Sequence, residues 1–405
     1  MSFTTRDLRL VVGAKSVSWF GDEVAMVALT LQLQSSGRAA MAVAGLLIAN
    51  ALPIVLLSGV VGRMVDRYDN RRLLLGSSAA QAALCVILAF VSSPAAVLVL
   101  VALLGAGQCV NSATWSALLP TIVDAEDVPN AVGLSQAGTT LAGVAAPAVG
   151  GLLAGLYGTR VPLLVDAATF AVVFGAAALL HVRRQGAKPT AGTKQHGGAA
   201  IVWRDALLRP LFVLLALFVL IGSMVNVVEV FLVRETLGAS TTWYGLTGAS
   251  FAIGALIGAL VCSRLRGKAT LARGFVVSAG ALALGLVALG LAPAVIWLIP
   301  AGFVTGAAYG ALNVTLASLV TGRTRADERG RVGALLNGVA SGTQLAAFAA
   351  GGALAARLSP RTVFVLAGGL GLLAPVLLGG RVVRAARSDD RADSAAMTPT
   401  PAAAA

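Results

Sequence analysis

Four carboxylates, Asp22, Glu23, Asp166 and Glu229, interrupt stretches that are otherwise apolar. A carboxylate in hydrocarbon is costly to ionise unless it is paired, so a group placed there is suited to reversible protonation. Asp22 is the leading candidate for such a proton carrier. Lys15, Ser18 and Asp22 recur at i, i+3 and i+7 and form a single helical stripe. Glu229 is the second candidate, with Asn226 three residues before it. Glu23 lies about 100° round the helix from Asp22 and therefore faces elsewhere. Asp166 sits early in its apolar stretch, where a packing or capping role competes with a proton-carrying one. Lys15 either snorkels toward an interface or pairs with Asp22, two turns away, through water or substrate.

Neutral polar residues extend the pattern. Gln108, Asn111, Ser112 and Trp115 share one helical face, as do Thr305, Tyr309 and Asn313, and Asn337, Ser341 and Gln344. Lys15, Ser18, Asn50, Gln108, Asn111, Trp115, Asn226, Tyr309, Asn313, Asn337 and Gln344 are accordingly the candidates to line a small-molecule pathway. The competing explanation for the neutral ones is hydrogen bonding between packed helices, at about 0.6–2 kcal/mol per bond. Other chemistry finds no foothold. Cys85, Cys109 and Cys262 are far apart and carry no disulfide or zinc spacing. His181 and His196 lie at or beyond the end of the sixth apolar stretch. There is no phosphate-binding Gly-Lys-Ser/Thr loop and no catalytic constellation, so neither an enzyme, nor ATP-driven pumping, nor a cofactor or metal is expected.

The elements that must position these residues are membrane spans. The chain is 58% hydrophobic and only 12% charged, with a mean hydropathy of +0.88, whereas a soluble domain is about half apolar and a quarter charged. About 20 apolar residues cross a bilayer. Twelve helices are expected, at 9–34, 40–62, 73–92, 95–118, 129–156, 160–182, 207–234, 242–262, 272–292, 294–318, 331–356 and 361–383. The third, ninth and twelfth are almost wholly apolar or small. Two of the breaks depend on Pro-containing turns, at Ser92-Ser93-Pro94 and Ala292-Pro293. Met1–Leu10 lacks the apolar core and cleavage site of a signal peptide, so the first span is expected to persist as an uncleaved anchor.

The fold class is thus an all-α membrane protein of two six-helix halves. Residues 1–182 and 207–384 form the bundles, 183–206 a linker and 385–405 a disordered tail. The linker is rich in Gly, Lys, Arg and Gln and ends in a candidate interfacial helix at Ile201–Arg209. A weak repeat at an offset of 200 residues supports the two halves: Gly45, Leu46 and Ala49 match Gly245, Leu246 and Ala249, and Val132, Gly133, Gly138 and Gly151 match Val332, Gly333, Gly338 and Gly351. With twelve spans, 24 of the 30 Lys and Arg fall on the side of the termini. That bias places both termini in the cytoplasm of a bacterial inner membrane. It also accounts for the net charge of +13 without invoking nucleic acid, because the charges are spread over short loops.

Gly62-Arg63-Met64-Val65-Asp66-Arg67-Tyr68-Asp69-Asn70-Arg71-Arg72 is the one dense charged segment of the first 120 residues. Its Gly-x-x-x-Asp-Arg core and following Arg pair resemble the loop between helices 2 and 3 of major facilitator superfamily transporters. By that resemblance Gly62, Asp66, Arg67, Arg71 and Arg72 form a gating motif. Asp66 would accept backbone N–H bonds at the start of helix 11, and Gly62 would let helix 2 approach a neighbour closely. Plain anchoring by positive charge explains the arginines but not Asp66 at that spacing. Asp69 stands where the family prefers Gly and Asn70 where it often has a basic residue; both tolerate turns. Pro147-Ala148-Val149-Gly150-Gly151 resembles half of the family's exporter motif in helix 5, with Ala142 and Ala146 replacing its leading glycines. Pro147, Gly150 and Gly151 also have a pure packing explanation.

Trp19-Phe20-Gly21-Asp22, Leu164-Val165-Asp166-Ala167-Ala168-Thr169-Phe170, Leu119-Pro120 and Tyr244-Gly245-Leu246 resemble the drug–proton antiporter branch that includes macrolide and siderophore exporters. In that superfamily the first, second, fourth and fifth helices of each half surround the cavity. The resemblance implies a secondary carrier whose partners are a small-molecule substrate, protons and the lipid bilayer, and a monomer is expected. Export of an amphipathic compound by proton antiport is the expected activity. An importer or lipid-related carrier of the same fold, or a transport-inactive sensor, are the alternatives. The Arg that many antiporters carry in helix 4 is absent.

Overall fold

The computed structural model describes residues 2–34, 39–124, 127–181, 198–324 and 328–397, and every regular element among them is helical. The helices are α1 (Ser2–Gln34), α2 (Ala39–Arg67), α3 (Asn70–Leu88), α4 (Pro94–Ile122), α5 (Val128–Tyr157), α6 (Arg160–Leu179), α7 (Gly198–Arg204), α8 (Leu208–Phe231), α9 (Thr241–Cys262), α10 (Lys268–Gly290), α11 (Leu298–Arg323), α12 (Arg329–Ala355) and α13 (Pro360–Met397). Eleven of the described helices are long and apolar enough to cross a membrane. The 33-residue α1 falls short of that composition because Lys15, Asp22 and Glu23 interrupt its apolar stretch. With α7 as a short separate piece, α1 to α6 and α8 to α13 are the twelve helices read from the sequence.

Local chemistry sets the boundaries. α4 opens on Pro94 in its first turn, where the missing N–H has no intrahelical partner to lose. Gly158, at φ +70°, ends α5 and donates its N–H to the Ala154 carbonyl. α8 continues beyond Phe231 as a π-helical turn over Leu232–Thr236, with the Leu237 N–H bonded to the Leu232 carbonyl at 3.0 Å. The tail expected to be disordered after Arg384 instead prolongs α13 to Met397. Residues 385–397 contain no Gly or Pro and several Ala, so the helix has no local reason to stop. His196, most of the linker and residues 398–405 lie outside the described residues.

Packing divides the chain into two compact units. The first takes residues 1–193 together with 223–250 and 345–360; the second takes 194–222, 251–344 and 361–405. The boundaries between them fall in the linker and within α8, α9 and α12. In the first unit α1 packs on α5 and α6, α2 on α4, and α3 on α4 and α6. Its buried cluster around Val11, Leu74, Trp115, Leu118 and Val173 joins α1, α3, α4 and α6. In the second unit α10 packs on α11, and Phe212, Phe275, Leu312 and Leu316 lie in one buried cluster. The internal repeat is visible in how helices cross. A Cβ on Gly105 of α4 would overlap the Asn50 carbonyl oxygen of α2, and one on Gly306 of α11 would overlap the Phe251 carbonyl oxygen of α9. Both pairs stand 201 residues apart.

Candidate functional site

In the first unit the polar residues of α1 sort onto different neighbours. Asp22 is half-buried, and its Oδ2 accepts a hydrogen bond from Gln108 Nε2 of α4 at 2.7 Å. Among the described residues no cation forms an ion pair with it: the ion pairs are His181 with Asp7 and Arg323 with Asp205. Lys15 does not reach Asp22; its Nζ donates to Ser135 Oγ of α5 at 3.1 Å. Ser18 is buried. Glu23, the next residue, is also half-buried. Asn226, one turn before Glu229, is exposed.

Asp166 is 2% exposed, on α6. Its Oδ2 accepts from Cys85 Sγ of α3 at 3.2 Å and its Oδ1 from Thr169 Oγ1 at 3.2 Å. A Cβ added at Gly21 would come within 2.6 Å of Asp166 Oδ1. The glycine thus lets α1 press onto α6 at the residue beside Asp22.

Three candidates for the pathway lining, Ser18, Asn111 and Trp115, are buried. Asn111 is 3% exposed; its Nδ2 donates to Gln81 Oε1 of α3 at 2.6 Å and its Oδ1 accepts from Ser77 Oγ at 2.5 Å. Trp115 is buried in the apolar cluster of α1, α3, α4 and α6. The third span therefore is not merely apolar: Ser77 and Gln81, spaced i and i+4, form a hydrogen-bonded seam with α4. That spacing was the available signal, but it does not say which neighbour it faces. Asn50 is half-buried, and its carbonyl lies at the α2–α4 crossing. In the second unit Tyr309, Asn313, Asn337 and Gln344 are exposed. Tyr309 has its ring 5.6 Å from that of Phe251, and its carbonyl accepts from Asn313 Nδ2 at 2.9 Å.

The charged loop holds its turn by a different device from the family's glycine. Asp69 adopts an extended conformation and its Oδ1 accepts the Arg72 N–H at 3.0 Å, capping α3. Arg71 donates through Nη2 to the Ala178 carbonyl at the end of α6. Asp66, Arg67 and Arg72 are exposed. The close approach expected at Gly62 is not present, since a Cβ there would meet no described atom within 4 Å.

Close approach occurs instead at the helix-5 motif, at the helix ends opposite that loop. A Cβ on Gly150 would lie 3.1 Å from the Val24 carbonyl oxygen of α1; one on Gly151 would lie 2.8 Å from Gly245 Cα and 2.7 Å from the Thr241 carbonyl oxygen of α9. A Cβ on Gly245 would overlap the Pro147 carbonyl oxygen. Nearby, Gly352 of α12 meets Ala44 of α2, where a Cβ would come within 2.6 Å of the Ala44 Cβ. Gln34 Nε2, at the end of α1, donates to Glu235 Oε1 at 2.8 Å. Segments 223–250 and 345–360 are joined to the first unit through contacts of this kind.

Known proteins share both sequence and architecture. The profile of a family described as transmembrane secretion effectors matches residues 3–405. Macrolide efflux protein A of Streptococcus pyogenes is 20% identical over 257 residues, which cover 61% of this chain and 64% of that protein. The match thus spans just under two thirds of that relative's length. YfiS of Bacillus subtilis, an uncharacterized MFS-type transporter, is 26% identical over 408 residues, with 94% of this chain and 95% of that protein covered. Among solved structures, a POT family transporter in complex with 5-aminolevulinic acid superposes with a TM-score of 0.75 at 13% identity, over 94% of this chain and 96% of that one. Such a likeness establishes the transporter fold and leaves cargo and direction to the residues.

Proposed function

The chain belongs to the transmembrane secretion effector family of the major facilitator superfamily, and from that premise we propose that it exports an amphipathic small molecule in exchange for protons. The observation that carries this reading is the environment of Asp22. It is a carboxylate inside an apolar helix, half-buried, held by the neutral amide of Gln108 and paired with no cation among the described residues. Such a group changes its interactions on protonation without breaking an ion pair, which suits it to a cycle of loading and release. The names of the macrolide efflux relatives support outward transport of a drug-like cargo.

The cycle is alternating access. Contacts of Pro147, Gly151 and Gly155 with Thr241, Gly245 and Gly248 close the helix ends opposite the charged loop and must part for release. Asp66 and its arginines serve the other side, which we assign to the cytoplasm together with both termini. Glu229, half-buried on α8, is the acid that bears on cargo charge, and a cationic compound is favoured over an anionic one. The test loads efflux-deficient bacteria with dyes, macrolides and siderophores and follows release with and without the protein, a protonophore and Asp22→Asn. Release that requires the protein, collapses with the protonophore and fails in the variant is expected. Release indifferent to both the protonophore and the variant would remove the proton from the mechanism.

A further inference from the structure

The chain that enters the second unit is held there by its apolar side. Val202 of α7 and Leu207 and Leu208 at the start of α8 are each 1% exposed. They share one buried cluster with Leu319 and Val320 near the end of α11. Between them Asp205 turns the chain. Its Oδ1 accepts the Leu207 and Leu208 N–H groups at 2.8 and 2.9 Å, and its Oδ2 accepts from Arg323 Nε of α11 at 2.7 Å. The short α7 is therefore a docked element with one side left on the surface.

That side carries Trp203, 58% exposed, together with Arg204 and Arg209, both exposed. The Arg209 guanidinium stands 5.5 Å from the centre of the Trp203 ring, within the range of a cation–π contact. A ring orients a cation but, unlike a carboxylate, does not neutralise it. Asp205, the carboxylate of this corner, is committed to Arg323. Among the described residues neither Arg204 nor Arg209 has an ion-pair partner. The chain itself fixes the depth of the corner, because the apolar span of α8 starts at Leu208, one helical turn beyond Arg204. The surroundings at that depth are phospholipid headgroups, where Trp is favoured and guanidinium groups meet phosphates.

We propose that the corner between α7 and α8 binds an anionic phospholipid, with Arg204 and Arg209 on its phosphate and the Trp203 indole against the upper part of its acyl chains. Free phosphate would satisfy the arginines but leave the indole in water, so the ring beside the two cations favours a lipid. The Asp205–Arg323 bond ties the occupied corner to the end of α11. The site depends neither on the cargo nor on the coupling ion.

The full-length protein is placed in phosphatidylcholine nanodiscs with a rising fraction of lipid brominated high on its acyl chains, either phosphatidylglycerol or phosphatidylcholine. Bromine quenches a tryptophan beside it, and the difference between wild type and Trp203→Phe isolates the Trp203 signal. Half-quenching of Trp203 is expected at about a tenfold lower fraction of the brominated phosphatidylglycerol, or lower still. Arg204→Gln and Arg209→Gln should each reduce that preference by about fivefold, the contribution of one basic residue at an anionic surface, and together they should abolish it. The paired Arg204→Lys and Arg209→Lys variant keeps both charges and should keep most of the preference, which separates loss of charge from loss of fold. Equal quenching by the two lipids, or a preference that survives the double Gln substitution, would overturn the assignment. A Trp203 signal that answers to inorganic phosphate in pure phosphatidylcholine, and to neither brominated lipid, would make the corner a soluble-anion site and overturn it as well.

Discussion

Gln108 on α4 donates to Asp22 on α1 across 2.7 Å, so the mid-span carboxyl is tied to a helix that brings an amide rather than a cation. The bond is expected to matter for function more than for folding. Hydrogen bonds to charged groups contribute about 1.5–3 kcal/mol, so Gln108→Ala should slow cargo transport by about tenfold or more and move the pH of half-maximal rate. Initial rates over a pH series in proteoliposomes provide the check. A slower rate with an unmoved pH profile would make Gln108 a packing residue.

The contact of Gly151 with Gly245 is backbone against backbone, and backbone cannot give way as a flexible side chain does. Gly245→Val should therefore abolish transport while the protein still reaches the membrane. The companion Gln34–Glu235 bond of 2.8 Å offers a reversible version. A disulfide between Gln34→Cys and Glu235→Cys should stop turnover, and reduction should restore it. Full turnover in the cross-linked protein would show that these helix ends do not part.

Asn111 is taken up by Ser77 and Gln81. Its removal should lower thermal stability in detergent by about 1 kcal/mol per lost interhelical bond and leave the KM for cargo unchanged. A raised KM in Asn111→Ala at unaltered stability would return the residue to the pathway.

Outside the spans, Asp205 anchors the second unit. Burial alone would push its carboxyl up, but the Leu208 N–H, the Arg323 guanidinium and the Leu207 N–H together hold it below the usual carboxylate range. The N–H bonds measure 2.9 Å and 2.8 Å and the Arg323 contact 2.7 Å. A depressed folded-state value means that the stabilisation is present above the ordinary Asp pKa of about 3.9 and is lost as pH falls through the lower folded value. Thermal unfolding between neutral pH and about pH 3 should accordingly fall less steeply for Asp205→Asn than for the wild type. Parallel curves would mean that the contact forms equally in the unfolded chain.

The spans were legible because each follows from the composition of a single helix. What was not legible depends on a second helix. Asn111 lies on the same face of α4 as Gln108, yet one meets Gln81 and the other Asp22, and helical periodicity cannot separate them. Asp166 reads as a packing acid, and only the fold shows which backbone, that of Gly21, packs on it. The glycine of the charged loop, Gly62, meets no described atom within 4 Å, whereas Gly151 of the helix-5 motif makes the tight contact. In the tail of α13 charge and small residues suggest disorder, whereas Ala without Gly or Pro propagates a helix as far as Met397.

Proton-driven export stands or falls on Asp22. The direct measurement is cargo accumulation in proteoliposomes under an imposed pH gradient of either sign, comparing wild type with Asp22→Asn. The account predicts cargo moving against the proton flux in the wild type, reversal when the gradient is reversed, and in the variant no response to either gradient. Cargo movement in Asp22→Asn that still follows the pH gradient would contradict it.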